Sequence, residues 1–152
     1  MAGQQSHRVA RWALRRWARR CLRARAARAP VRAAAEAVYS ELGWGWREDV
    51  YREALAVELR RRGRAVQKEV VFPIRYKSEV LSHVGLRVDM VVGGTLVVEL
   101  KANAGEPAAL RRAEQQCRRY VRILAAPGLS GLVLNFPDKP GRTVQARAVA
   151  WS

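Results

Sequence analysis

The spacing of apolar residues changes near residue 65, and that change decides which folds this chain can adopt. Before it, apolar side chains recur every three or four positions, which predicts helices. After it, runs rich in Val, Phe and Ile predict strands. The predicted elements are, in chain order, helices over 31–42 and 47–62, strands over 65–76, 80–92 and 95–102, a helix from Pro107, and strands over 131–136 and 143–150. This order, ααβββαββ, predicts an α/β (α+β) domain with a small mixed β-sheet flanked by helices.

Positive charge is unevenly distributed along the chain. Of 152 residues, 29 are Lys or Arg and 13 are Asp or Glu, which gives a formal net charge of +16. Residues 1–35 contain ten arginines and no acidic residue. Because the residue before a proline avoids helical backbone, Pro30 predicts the end of a first, Arg-rich helix. We therefore expect a basic leader over residues 1–30 and a domain over residues 31–152.

The leader has three interpretations that the residues alone leave open. An Arg-rich segment without acids is typical of an organellar transit peptide. It is also typical of an arm that binds nucleic acid, or of a plain basic extension. Cys21 and Cys117 form neither a disulfide framework nor a zinc motif, which fits a reducing compartment. We expect an intracellular protein without a membrane span, either cytoplasmic or, with a transit peptide, mitochondrial or plastid.

Two acids and one lysine fall on consecutive predicted strands. Glu99 and Lys101 are two residues apart, so they point to one face of their strand. A carboxylate and an ammonium inside an apolar run are costly to bury unless something uses them. Asp89, Glu99 and the Leu100 carbonyl would bind Mg²⁺, or Mn²⁺ in its place. Lys101 would then orient a water or stabilise developing negative charge during phosphodiester cleavage. The alternative is an ordinary ion pair at a strand edge.

The expected metal site requires a particular register in the hairpin between these strands. A two-residue glycine loop would turn Asp89 away from Glu99, because cross-strand partners share a face of the sheet. A three-residue loop, Val92–Gly94, pairs Asp89 with Val97 and brings it to the face of Glu99. We predict this register, or a bulge with the same effect.

Two further pairs of side chains share helix faces. Glu48 and Tyr51 are three apart at a predicted helix start, where Glu48 would be a third carboxylate that places metal or water. Gln116 and Tyr120 are four apart on the long helix and can bind phosphate oxygens or fix Lys101. Two alternatives stay open. Glu48 would be an acid that the helix N-terminus favours, and Gln116 and Tyr120 would be a half-buried polar pair.

These short motifs together resemble the PD-(D/E)XK nuclease superfamily, and within it the GxxExxY family. Gly45, Glu48 and Tyr51 match the motif that names the family. The other matching segments, in chain order, are 50–59, Tyr76-Lys77, Arg87–Asp89, Val97–Lys101, Gln116 to Tyr120, and Gly131–Phe136. The resemblance covers residues 32–137 and is specific because the motifs occur in the family's order.

The resemblance implies a restriction-endonuclease-like core with Mg²⁺-dependent nuclease chemistry. The roles it implies are metal ligand for Asp89 and Glu99, catalytic lysine for Lys101, helix acid for Glu48, and helix motif for Gln116 and Tyr120. Glu58 is a competing choice for the helix acid. Because Glu58 lies about three turns beyond Glu48, the two cannot serve one metal centre equally.

The leading functional hypothesis is a nuclease that acts on DNA or RNA, with DNA favoured, since a chain this positive is expected to bind polyanions. A second hypothesis is a protein that binds nucleic acid without cutting it. A third is a defence-type interaction protein, which predicts an exposed apolar patch near Trp44 and Trp46. Sequence-specific cutting is expected to need a homodimer or a protein partner.

Overall fold

A computed structural model describes residues 3–102, 105, 107–124 and 129–149, with the backbone alone for 3–18, 20 and 21. The helices are α1 (Gly3–Leu42), α2 (Glu48–Arg61) and α3 (Pro107–Leu124). The strands are β1 (Val66–Tyr76), β2 (Glu79–Val92), β3 (Leu96–Ala102), β4 (Ser130–Phe136) and β5 (Gln145–Val149). The predicted α+β class and the order ααβββαββ are confirmed. Within this part of the chain no helix carries an apolar stretch that could cross a bilayer.

The first helix runs unbroken through Pro30, so the predicted helix end at that residue is wrong. A proline inside a helix removes one backbone hydrogen bond, at a cost of about 3 kcal/mol. Packing of the second half of α1 against the sheet offsets that cost, since Ala24 and Val31 on either side of the proline are buried. Arg28 also donates hydrogen bonds to Ser130 Oγ and to the Val149 carbonyl. The role of residues 1–30 as a leader stays a prediction.

The five strands form one mixed sheet in the order β1-β2-β3-β4-β5. Only β3 and β4 are parallel; the other neighbouring pairs are antiparallel. A parallel pair needs a crossover connection, and α3 supplies it. The carboxyl ends of β3 and β4 therefore lie side by side, with Lys101 opposite Asn135.

Each face of the sheet has its own apolar core. The core shared with α1 and α2 includes Tyr51, Leu55, Met90, Val98, Leu100 and Phe136. The core shared with α3 includes Val88, Val97, Cys117, Val121 and Val133. Gly131 lets α3 approach the second face, because a Cβ there would lie 2.6 Å from Cys117 Sγ. The sheet thus fixes α2 and α3 on opposite faces.

The hairpin between β2 and β3 differs in register from the prediction. Val92 pairs with Leu96 and Met90 pairs with Val98, so the three-residue loop is Gly93–Thr95 and not Val92–Gly94. Gly93 and Gly94 both adopt positive φ, at 59° and 66°, which places the two glycines first in the loop. The shift is two residues, and an even shift keeps each side chain on its predicted face.

Regular pairing is interrupted around Asp89. The β2–β3 ladder ends at Met90 and Val98. The β1–β2 ladder omits Asp89 and Glu69, and Glu69 has a positive φ of 49°. The Asp89 side chain consequently reaches β3 and accepts a hydrogen bond from the Leu100 N–H at 2.8 Å.

Candidate active site

Three acids and one lysine meet where β2 and β3 separate beside the start of α2. Lys101 Nζ lies 2.9 Å from Glu99 Oε1 and 3.6 Å from Glu48 Oε2. Asp89 joins them through its bond to the backbone of Leu100. Sequence reasoning placed all five of these residues in one site, and the structure brings them together.

The start of α2 is positioned by a hydrogen-bonded loop. Gly43 and Gly45 adopt positive φ, at 74° and 88°, which glycine tolerates without strain. The Tyr51 hydroxyl donates to the Gly43 carbonyl at 2.8 Å and accepts from the Trp46 N–H at 3.4 Å. Tyr51 is fully buried. Tyr51 therefore fixes the loop that precedes and positions Glu48, and its own side chain does not line the candidate active site.

Glu99 is buried in a setting that disfavours its negative charge. Its side chain is only 3% exposed, and Oε2 is buried without a hydrogen-bond partner among the residues that the structure describes. Burial, followed by the charge of Asp89, raises the pKa of Glu99 to about 7 although Lys101 opposes the change. A buried carboxylate oxygen without a partner is a position that a cation would stabilise.

The neighbouring groups share this electrostatic coupling. Burial raises the pKa of Glu48, and Lys101 opposes that rise. Burial alone would lower the pKa of Lys101, but its hydrogen bond to Glu99 and the surrounding carboxylates outweigh burial and raise it. Lys101 therefore keeps its proton in neutral solution and acts here as a positive charge.

Arg52 is a member of the site that sequence reasoning missed. It lies one turn after Glu48 on α2, and its side chain is only 15% exposed. One guanidinium nitrogen is 3.6 Å from Asp89 Oδ1 and another is 3.5 Å from Glu69 Oε1. The i,i+4 spacing from Glu48 was the available signal, since it places both side chains on one helix face.

The pair on α3 faces the same group of charges. Gln116 Nε2 donates a hydrogen bond to the Tyr120 hydroxyl. Burial raises the pKa of Tyr120, and the charges of Glu99 and Asp89 add to that rise against the Gln116 bond. Gln116 and Tyr120 therefore approach the acids from the face of the sheet opposite to α2.

Two other ionisable residues stay out of the site. Glu58, the competing choice for the helix acid, pairs with Arg62 at 2.6 Å along α2. Cys117 is a buried free cysteine, and burial raises the pKa of its thiol to about 12. Glu48 is thus the α2 carboxylate that contacts Lys101, and Cys117 is not a thiolate nucleophile in neutral solution.

The donors present fit a hard divalent cation. In the described residues no group of three or more His, Cys, Asp or Glu side chains is placed to hold a metal ion, so Glu48 does not complete a third carboxylate ligand. A cation here would rest on Asp89 and Glu99, with the Leu100 carbonyl and water completing its shell. Mg²⁺ takes oxygen ligands and usually keeps several waters, so a set of two carboxylates suits it. The unpartnered Glu99 Oε2 is the specific observation in favour.

The raised pKa of Glu99 predicts an unusual pH dependence of stability in EDTA. Below pH 4.5, the ordinary carboxyl pKa, Glu99 is protonated in both the folded and the unfolded protein. Between pH 4.5 and about 7 the carboxyl ionises in the unfolded chain before it ionises in the folded protein. The free energy of unfolding therefore falls over this range, by up to about 3 kcal/mol. Glu99→Gln removes this cost. We expect it to raise the free energy of unfolding by about 1–3 kcal/mol near pH 8 and to leave it nearly unchanged near pH 4.

Urea unfolding at both pH values measures this effect. Glu58→Gln is the matched control, because it removes an α2 carboxylate in a partly exposed i,i+4 pair. A Glu99→Gln protein that is less stable than wild type near pH 8 would contradict the electrostatic description of the site.

Comparison with known protein families finds a match over most of the chain. A model of the PD-(D/E)XK nuclease superfamily matches residues 26–147, most of the chain. No curated protein and no solved structure matches. The matched range contains every residue of the site described above, and the mixed five-stranded sheet is consistent with a restriction-endonuclease-like fold. The chain belongs to the PD-(D/E)XK nuclease superfamily.

Proposed function

We propose that this protein is a Mg²⁺-dependent nuclease of the GxxExxY type that hydrolyses phosphodiester bonds, with Mn²⁺ as an alternative cation and DNA favoured over RNA. The observation that carries the proposal is the buried Glu99 Oε2, which has no partner among the described residues, while Oε1 of the same carboxylate contacts the Lys101 ammonium. The net charge of +16 supports a polyanionic substrate.

Each side chain has a role that follows from its position. Asp89, Glu99 and the Leu100 carbonyl would hold the cation, which when bound would polarise the scissile phosphate and lower the pKa of water. The Lys101 ammonium orients water or stabilises charge on the phosphate oxygens. Glu48 holds Lys101 from α2, within 3.6 Å.

The remaining polar groups bind the substrate from α3 or hold Asp89 from α2. Gln116 and Tyr120 offer an amide and a hydroxyl that can bind phosphate oxygens. Arg52 keeps the Asp89 carboxylate in place through their 3.6 Å contact. These groups bind and orient, so their loss should affect cleavage less than loss of Asp89 or Glu99.

Cleavage assays test the proposal directly. Plasmid, single-stranded DNA and RNA are incubated with Mg²⁺, Mn²⁺ or EDTA. We expect cleavage of at least one substrate that requires the metal and disappears in Asp89→Ala. No cleavage under any condition, or equal activity in wild type and Asp89→Ala, would count against the proposal.

A second candidate is a protein that keeps the fold and binds nucleic acid without cutting it. The observation in its favour is that two side-chain cations, Lys101 and Arg52, already neutralise the acids. Calorimetry with Mn²⁺ separates the two candidates. The nuclease requires heat of binding that Glu99→Ala removes, whereas the non-catalytic protein gives none.

A further inference from the structure

The loop between α1 and α2 exposes two indole rings. Trp44 is 54% exposed and Trp46 is 48% exposed. Tryptophan is highly buried on average, because each ring carries a large apolar surface. Two half-exposed tryptophans separated by one glycine therefore form an exposed aromatic surface that is a candidate binding site.

The loop holds these rings in place. Trp46 Nε1 donates to the Leu42 carbonyl at 2.8 Å, which anchors its indole to the end of α1. The Gly43 N–H donates to the Tyr39 carbonyl at 2.9 Å. Tyr51 closes the loop with its two hydrogen bonds to Gly43 and Trp46. The loop backbone and the Trp46 ring are held in place by hydrogen bonds, so ordering them on binding costs little.

The same loop leads into the candidate active site. Trp46 precedes Glu48 by two residues, a span of at most about 7 Å along the chain. A shallow, open groove of about 410 Å³ begins at the next residue and is lined by Arg47, Glu48, Asp49, Arg52 and Ala102. A ligand lying in the groove would contact Glu48, whose carboxylate is 3.6 Å from Lys101 Nζ.

We propose that Trp44 and Trp46 form a base-stacking platform for unpaired nucleotides beside the cleavage site. The inference rests on the proposed function and names its substrate class, a nucleic acid with a single-stranded segment. Bases inside a duplex already stack on each other, whereas an unpaired base has free faces for an indole. The platform therefore selects single strands, overhangs or loops.

Charge favours nucleic acid over a protein partner as the occupant. Arg47, next to Trp46, pairs with Asp49 at 2.9 Å, but its side chain is 85% exposed and can reach a phosphate. Arg52 lines the same groove, and the chain as a whole carries +16. Aromatic rings interleaved with cations are the pattern that binds single-stranded nucleic acid through stacking and phosphate contact.

Binding of labelled oligonucleotides tests the platform. Fluorescence anisotropy compares a single strand with its duplex, in full-length Lys101→Met protein with EDTA present, so that neither is cut. We expect Trp44→Ala to weaken single-strand binding about 5- to 100-fold, with less than about a twofold effect on duplex binding. Trp44→Phe, which keeps a ring, should retain most of the affinity. The salt dependence should not change, because stacking neutralises no phosphate.

Tyr76→Ala is the matched control, since Tyr76 is an aromatic residue that is 61% exposed at the far end of β1. It should leave both affinities unchanged. Equal losses on single strand and duplex, or no loss in Trp44→Ala, would overturn the platform and assign the loop to a protein partner. Failure of the cleavage proposal would appear instead as metal-independent or absent cutting, with the single-strand preference intact.

Discussion

Lys101→Met is expected to lower the rate of metal-dependent cleavage about 10²- to 10³-fold, the size of effect seen when one stabiliser of developing charge is removed. The Lys101 ammonium lies 2.9 Å from Glu99 Oε1 and 3.6 Å from Glu48 Oε2, so two carboxylates hold it in the candidate site, where it would stabilise charge that develops on the phosphate. Because the interaction strengthens as charge develops, the loss should fall on kcat more than on KM.

Lys68→Met is the control for this substitution. Lys68 lies on β1, its side chain is 26% exposed like that of Lys101, and it pairs with Glu53 on α2. The same change of charge and shape at Lys68 should alter the cleavage rate less than about twofold, since surface ion pairs contribute little. Equal rates for Lys101→Met and wild type would remove Lys101 from the reaction.

Tyr51→Ala is expected to destabilise the protein by about 3–5 kcal/mol, because a buried aromatic side chain leaves a large cavity. Tyr51 is fully buried, and its ring stacks on Phe136 of β4 with centroids 4.2 Å apart and an interplanar angle of 11°. Losing the hydroxyl also releases the loop that precedes Glu48. Denaturant unfolding at neutral pH measures the change.

Tyr51→Phe separates the ring from the hydroxyl. It keeps the stacking on Phe136 and removes the bond to the Gly43 carbonyl, so we expect a loss of about 1 kcal/mol. An unfolding free energy for Tyr51→Ala within about 1 kcal/mol of wild type would show that the ring does not anchor α2 to the sheet.

The sequence was most informative where a local period decides the outcome. Strand alternation alone places Glu99 and Lys101 on one face, and the structure has them in contact at 2.9 Å. Helical spacing likewise predicts that Gln116 reaches Tyr120. In these cases a spacing of two residues in a strand, or four in a helix, is enough to predict that the two side chains share a face.

Local patterns were insufficient where distant segments decide the outcome. Pro30 is a helix stop by local preference, but packing of α1 on the sheet overrides it. Loop placement at the Gly93-Gly94 turn is ambiguous, because registers two residues apart bury the same faces. The partners of Arg52 come from β1 and β2, and no spacing on α2 names them.

Tyr51 illustrates a different limit. Its spacing from Glu48 predicts a shared helix face, and the family motif groups the two residues together. The structure gives them different surroundings: Glu48 contacts Lys101, whereas Tyr51 points into the core against Phe136. A residue pattern does not distinguish a side chain that reacts from one that positions its neighbour.

Titration of the protein with Mn²⁺, followed by electron paramagnetic resonance, tests the cation site most directly. We expect one bound ion per chain in wild type, weakened at least about tenfold in Asp89→Asn and in Glu99→Gln, with Glu58→Gln unchanged. Wild-type affinity in both Asp89→Asn and Glu99→Gln, or no bound Mn²⁺ in wild type, would contradict a cation held between these two strands.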